Sequence, residues 1–177
     1  MSTIPASEST IEWKNWHAEI PATLMFIVQG DKILLIEKLT GIGQGKINGP
    51  GGKIDPGENA LQAIVRECQE ELHITPHDPV KMGELHFAMS DIPDIHCHVF
   101  MAKSFDGEPT ATREANPLWT EIDAIPYEKM WEDDRYWMPQ MLDGQLFNGR
   151  FEFEGDKIVW KDMSYGDSAT DLWLGDA

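Results

Sequence analysis

Three glutamates, Glu67, Glu70 and Glu71, directly follow or lie close behind Arg66 in the run GKIDPGENALQAIVRECQEELHI, and Glu58 precedes the arginine by two helical turns. Leu61, Ile64, Val65, Cys68 and Leu72 recur at helical spacing and form one apolar stripe. At about 100° per residue the three glutamates span an arc of roughly 100°, with Glu71 beside Ile64 at the edge of the stripe. An amphipathic helix with a merely solvated acidic side would carry its glutamates opposite the stripe. Carboxylates crowded at a core edge repel one another, which raises their pKa values unless a cation joins them. Oxygen ligands of this kind suit Mg²⁺, with Mn²⁺ as a substitute, and either ion would also bind the phosphate oxygens of a substrate. Arg66 points away from the centre of the arc, so an ion pair with Glu58 that holds the preceding loop to the helix is expected.

Several elements must position these side chains. Pro56-Gly57 is a turn signal just before the helix, and Asn48-Gly49-Pro50-Gly51-Gly52 makes a glycine-rich loop ahead of it. Residues 22–29 and 32–38 read as a hairpin around Gly30-Asp31, and 80–89 and 96–104 as two further strands. Residues 117–122 read as a short strand and 131–142 as a second helix, which Pro139 would bend or end. A last hairpin is expected over 151–153 and 157–160 around Gly155-Asp156. Strands mixed with two helices predict an α/β/α sandwich over a mixed central sheet. Residues 1–20 read as an N-terminal extension, 21–163 as the domain, and 164–177 as a loose acidic tail.

Composition narrows the partners. The chain has 177 residues, 41% apolar and 25% charged, which suits one buried domain. A net charge of −17 argues against a nucleic-acid polymer or an anionic membrane as partner, and would repel a nucleotide too unless metal ions intervene. Cys68 and Cys97 read as packed thiols. With no apolar run of membrane length and no signal-peptide pattern at the start, a cytoplasmic protein is expected, and a monomer.

From Gly52 to Ile74 the spacing is that of the Nudix box, G-x5-E-x7-R-E-U-x-E-E-x-G-U, at every position but one. The chain thus resembles the Nudix hydrolases, which implies their α/β/α fold. It also implies a magnesium site at Glu67, Glu70, Glu71, Glu114 and Gly52, with Arg66 and Glu58 supporting catalysis. The exception is His73, where the box has Gly. A glycine there relieves left-handed backbone at the helix end, so His73 is expected to carry that strain without removing a ligand.

A second run, IPYEKMWEDDRYW from Ile125 to Trp137, resembles the branch of the family that sanitises oxidised purine nucleoside triphosphates. Trp131 can stack on a purine, a contact of about 1–3 kcal/mol. Asp133 and Asp134 are adjacent carboxylates. If both enter one pocket, one holds a proton, and the pair offers a donor and an acceptor to a purine edge. On spacing alone, an aspartate pair capping a helix is the more natural reading, and the resemblance shifts it to the binding role. Trp137 reads either as a pocket or as a core aromatic. The resemblance further implies pocket roles for Thr23, Lys38, Asn48 and Phe87. Ile42 replaces an aromatic, and the 90–95 loop is one residue shorter, which leaves base preference open.

The resemblance implies Mg²⁺-dependent cleavage of a nucleotide such as 8-oxo-dGTP or 2-hydroxy-dATP to monophosphate and pyrophosphate, which cleans the nucleotide pool and prevents DNA damage. The alternatives are a Nudix hydrolase of a methylated purine nucleotide or nucleotide sugar, and a non-catalytic nucleotide sensor. Such sensors lose box carboxylates, whereas all four glutamates are present here.

Overall fold

The computed structural model describes residues 8–172. The strands are β1 (Ile20–Gln29), β2 (Lys32–Lys38), β3 (Ile47–Asn48), β4 (Gly51–Lys53), β5 (Thr75–Pro76), β6 (Val80–Met89), β7 (Ile95–Ala102), β8 (Phe105–Asp106), β9 (Ala115–Glu121), β10 (Leu146–Glu154) and β11 (Lys157–Gly166). The helices are α1 (Ala60–Leu72), α2 (Asp134–Leu142) and α3 (Ala169–Leu172). Nine strands form one mixed sheet in the order β11-β10-β6-β7-β1-β2-β3, with β4 on β1 and β9 on β2. The β1/β7 and β6/β10 pairs are parallel, and the remaining pairs antiparallel.

Alternation along the strands splits the core into two layers, as a sheet covered on both faces requires. Met25 and Ile27 of β1 join Leu34, Ile36 and Phe100 beneath Ile64, Cys68 and Leu72 of α1. Phe26 and its neighbours Ile33, Leu35, Leu85 and Val99 face Trp137, Met138 and Met141 of α2. The α/β/α sandwich expected from the sequence is therefore present.

Local chemistry sets the ends of α1. Asn59 accepts from the amide of Gln62 while Gln62 accepts from the amide of Asn59, a reciprocal cap. His73 closes the helix at φ 60°, in the left-handed conformation that glycine adopts at lower cost. The second helix starts at Asp134 rather than at Trp131, and Pro139 lies inside it without ending it.

The two terminal segments depart from expectation. Residues 8–19 run as a strap along the sheet rather than as a free extension. Ser9 and Thr10 donate hydroxyl hydrogen bonds to Glu152 at 2.8 and 2.7 Å, Trp13 stacks on Trp160, and the Trp16 indole donates to Asp94 at 2.8 Å. At the other end β11 runs on through Ser164–Gly166, and Leu172 of α3 is buried, its carbonyl accepting from Asn148 at 2.8 Å. The segment from 164 to 172 is therefore part of the fold, because strand pairing and one leucine anchor it. The expectations for residues 1–7 and 173–177 lie outside the described residues.

Candidate active site

The helix α1 lies against the glycine-rich loop so that the box side chains converge on β4. Arg66 is the hub. Its guanidinium donates to Glu58 at 2.7 and 2.9 Å, to the Lys53 carbonyl at 3.0 Å, to Glu67 at 2.9 Å and to Glu70 at 3.1 Å. This fork holds the loop on the helix and keeps Glu58 below the usual carboxylate range. Gly52 makes room for the arrangement: a Cβ there would sit 2.7 Å from the Glu67 carboxylate.

Glu67, Glu71 and Glu114 offer carboxylate oxygens that all lie within 4.8 Å of one another. Glu71 is buried and accepts from the Gly51 amide at 3.0 Å. Burial pushes its carboxyl up to about 8, eased by that amide and raised again by the neighbouring Glu67. Glu114 reaches the cluster from the loop before β9. The Thr112 hydroxyl donates to the Glu71 carbonyl at 2.8 Å and accepts from the Glu114 amide at 3.2 Å, and the Glu114 carbonyl accepts from Leu39 at 2.9 Å. Three carboxylates in this space, one of them buried and short of compensating charge, suit a divalent cation. Glu70 stands apart from the three. It is 51% exposed against 12% for Glu67, and its partner is Arg66.

The carboxylates form one end of a pocket of about 340 Å³, also lined by Thr23, Lys38, Asn48, Phe87, Trp131, Asp133 and Asp134. At the far end the two aspartates are each only 3% exposed. Asp133 makes no side-chain cap on α2; instead it accepts from the Trp137 indole at 2.8 Å. Burial pushes Asp133 up to about 6, held there by the Trp137 and Asp134 hydrogen bonds. Asp134 goes well above the usual range, through burial and then the Asp133 charge, and one of its oxygens is buried with no hydrogen-bond partner among the described residues. The two carboxyls titrate as a pair, and one buried polar atom stands unpaired beside them. Above the pair, Trp131 meets the Phe153 ring edge-on at 5.9 Å, with the Lys46 ammonium 4.9 Å from its ring.

The sequence matches the NUDIX domain family over residues 19–141. The chain belongs to the Nudix family. A zebrafish (Danio rerio) oxidized purine nucleoside triphosphate hydrolase is 39% identical over 140 residues, which is 77% of this chain and 88% of that protein. A mouse (Mus musculus) enzyme of the same name is 35% identical, again over 77% of this chain and 88% of its own length. Among solved structures, a MutT protein from Bacillus halodurans superposes with a TM-score of 0.73, at 24% identity, covering 81% of this chain and 97% of that one. That superposition bears on the Nudix fold alone.

The Nudix box residues and the distant Trp131–Asp134 run thus meet in one pocket, although about 60 residues separate them in sequence. Two of the expected site residues do not line the pocket. Glu70 lies outside the three-carboxylate group, because its side chain points to solvent and Arg66. Trp137 is fully buried and does not line the pocket; it stacks on Phe147 at 5.0 Å and holds Asp133 from behind. Asn48 lines the pocket, but its side-chain oxygen accepts from the Gly49 amide at 2.8 Å, the turn role open to it from sequence. Phe87 both lines the pocket and stacks on Phe151 at 5.8 Å. Sequence reasoning missed Thr112, the bridge between α1 and Glu114; a lone threonine in a loop carries no pattern that would reveal it.

Proposed function

We propose that this Nudix protein is a Mg²⁺-dependent diphosphatase of oxidised purine nucleoside triphosphates, releasing the monophosphate and pyrophosphate. The observation that carries the reading is the buried Asp133–Asp134 pair, at the opposite end of one pocket from Glu67, Glu71 and Glu114. The names of the zebrafish and mouse relatives support the substrate class.

Glu67, Glu71 and Glu114 would hold the cation, with Gly52 beside them. A bound divalent ion neutralises the phosphate chain and acidifies water. Glu67 and Glu71 then orient the attacking water toward phosphorus, and Arg66 and Glu58 keep both glutamates in place. Lys38, also lining the pocket, adds positive charge near the phosphates. At the other end Trp131 stacks on the purine, Asp134 donates its proton and Asp133 accepts, with Trp137 fixing the acceptor. Thr23, Asn48 and Phe87 complete the walls. The substrate is a small nucleotide, the ion Mg²⁺ or Mn²⁺, the working form a monomer in the cytoplasm. Among the described residues no helix is long and apolar enough to cross a membrane.

One observation favours a second reading. Ile42, Met89, Ile92 and Ile95 form an apolar rim on the same pocket, which would accept the methyl group of an alkylated purine. A panel of dGTP, 8-oxo-dGTP, 2-hydroxy-dATP, O6-methyl-dGTP and ADP-ribose with Mg²⁺, read by pyrophosphate release and kcat/KM, separates the two. The primary reading expects an oxidised purine to lead by at least about tenfold, the ratio that about 1.4 kcal/mol of base recognition gives. A lead by O6-methyl-dGTP supports the second reading, and a lead by ADP-ribose overturns both.

A further inference from the structure

A second group of metal-ligating side chains lies on the same sheet, outside the pocket. His86 and His96 stand directly opposite each other on β6 and β7, and Glu84 opposes His98 two pairs further along. Side chains two apart on a strand share a face, so Glu84, His86, His96 and His98 form one patch. Ligand atoms of Glu84, His86 and His96 all lie within 4.8 Å of one another. The His86 and His96 imidazoles stack at 4.5 Å, and the His98 ring lies tilted against His96, also at 4.5 Å.

We propose that Glu84, His86 and His96 form a binding site for a borderline transition-metal dication of the Zn²⁺ class. His86 Nδ1 sits 2.9 Å from the Gly149 carbonyl; donating to it fixes the tautomer and leaves Nε2 as a lone pair for a metal, as in orienting partners of established zinc sites. Glu84 divides its two oxygens. Oε2 pairs with the Lys81 ammonium at 3.2 Å, and Oε1 lies 2.6 Å from His96 Nε2. A metal takes the place of the proton that Nε2 and Oε1 share, and that proton leaves to solvent. His98 Nδ1 is a buried nitrogen without a hydrogen-bond partner among the described residues and lies 3.9 Å from the same Oε1, so a further nitrogen donor stands beside the site. Two imidazoles and one carboxylate select Zn²⁺, Co²⁺, Ni²⁺ or Cu²⁺ over Mg²⁺, which prefers all-oxygen ligands at the Glu67 cluster.

The site has a mechanical consequence. The Trp16 indole of the N-terminal strap meets the His86 ring edge-on at 5.7 Å. A metal that fixes His86 therefore ties β6, β7 and the strap together, without touching the pocket.

Isothermal titration of the full chain with Zn²⁺ in the presence of saturating Mg²⁺ tests the proposal. One Zn²⁺ is expected per chain, with proton release, and His86→Gln or His96→Gln is expected to weaken it by about 100-fold or more, beyond the 10–100-fold that loss of an orienting partner costs. Glu71→Gln should bind Zn²⁺ as the parent does. Loss of binding in Glu71→Gln, with the histidine variants unchanged, would assign the metal to the carboxylate cluster and overturn the proposal. Because the variants could fold poorly, the parent protein supplies an independent reading. On Zn²⁺ addition the ¹⁵N resonances of His86 Nε2 and His96 should move together, and their staying in place overturns the site.

Discussion

At one end of the pocket Glu71 is buried beside Glu67; at the other, Asp134 is buried beside Asp133. Both pairs place like charges in a poor solvent, and burial is the first cause of the raised pKa values of Glu71, Asp133 and Asp134. They differ in what surrounds them. The glutamates sit with a third carboxylate, Glu114, and converge on open space beside a glycine. The aspartates are adjacent in sequence at the start of α2, with an indole behind one of them. On the proposed function, a cation would relieve the repulsion at the first end and a proton that at the second. The fold would then build a phosphate-facing end and a base-facing end from the same functional group by choosing the counterion.

The largest test of this contrast is removal of charge at the cation end. Glu67→Gln and Glu71→Gln should each lower kcat by at least about 100-fold at saturating Mg²⁺, as loss of a metal ligand or water-orienting group does. Glu70→Gln should cost less than about tenfold, because Glu70 stands outside the cluster and serves the Arg66 fork. Equal losses at all three positions would erase the distinction drawn between them.

The proton end is next. Asp134→Asn keeps a donor where the proton is, so the ranking of 8-oxo-dGTP, 2-hydroxy-dATP and dGTP should hold. Asp133→Asn removes the ionised acceptor and leaves the Trp137 indole facing an amide, so the preferred base should lose up to about 3 kcal/mol in kcat/KM relative to the others. Kinetics with the three nucleotides decide it, and identical rankings in both variants would reduce the pair to a structural feature. Trp131→Ala should cost about 1–3 kcal/mol in kcat/KM for purine substrates through lost stacking. A loss of the same size for a pyrimidine nucleotide would argue for a scaffold role instead.

The smallest effect separates the two ends by pH. Asp133 rises from an ordinary 3.8 to about 6 on folding, so the folded chain binds protons that the unfolded chain has released. Its stabilising contribution is complete below about 3.8 and is lost as pH climbs through about 6, and Asp134 extends that loss upward. Glu71 adds a similar loss between its ordinary 4.5 and about 8. Thermal melts at pH 5 and pH 8 should therefore show Asp134→Asn gaining on the parent at the higher pH. Added Mg²⁺ should stabilise at pH 8 more than at pH 5 in the parent and in Asp134→Asn alike, but not in Glu71→Gln. A Mg²⁺ effect that vanished in Asp134→Asn would show that the two ends are not independent.

How much of this was legible in the sequence follows from how local each interaction is. Helix α1, its stripe, the Glu58–Arg66 pair and the left-handed His73 are all encoded within one short segment, and periodicity plus turn chemistry suffices to read them. The β1–β2 hairpin and the span of β6 were legible for the same reason. The sandwich followed from the mix of elements. Glu114 and the pocket role of Trp131 came from resemblance, since nothing local distinguishes a loop glutamate that will meet a distant helix. What stayed hidden depends on pairing across the sheet. The continuation of β11 past Trp160, the strap, the burial of Trp137 and the histidine patch each need a neighbour that lies far along the chain. The pairing of Glu70 with Arg66 was not legible, because a helical wheel gives direction but not how far a side chain is drawn aside by an arginine.

The strap also sets an order of events during synthesis. Ser9 and Thr10 are held by Glu152, separated from Ser9 by 143 positions, and Trp13 by Trp160. At roughly 5–20 residues per second, a ribosome makes Glu152 about 7–30 s after Ser9. Over that interval Trp13 has no Trp160 to stack on, while β1, the hairpin partner β2 and the box helix can already assemble and Trp16 meets His86 and Asp94 as soon as those are made. Trp13 is thus among the last side chains to find its place, and the nascent protein carries one uncovered indole until its final hairpin emerges.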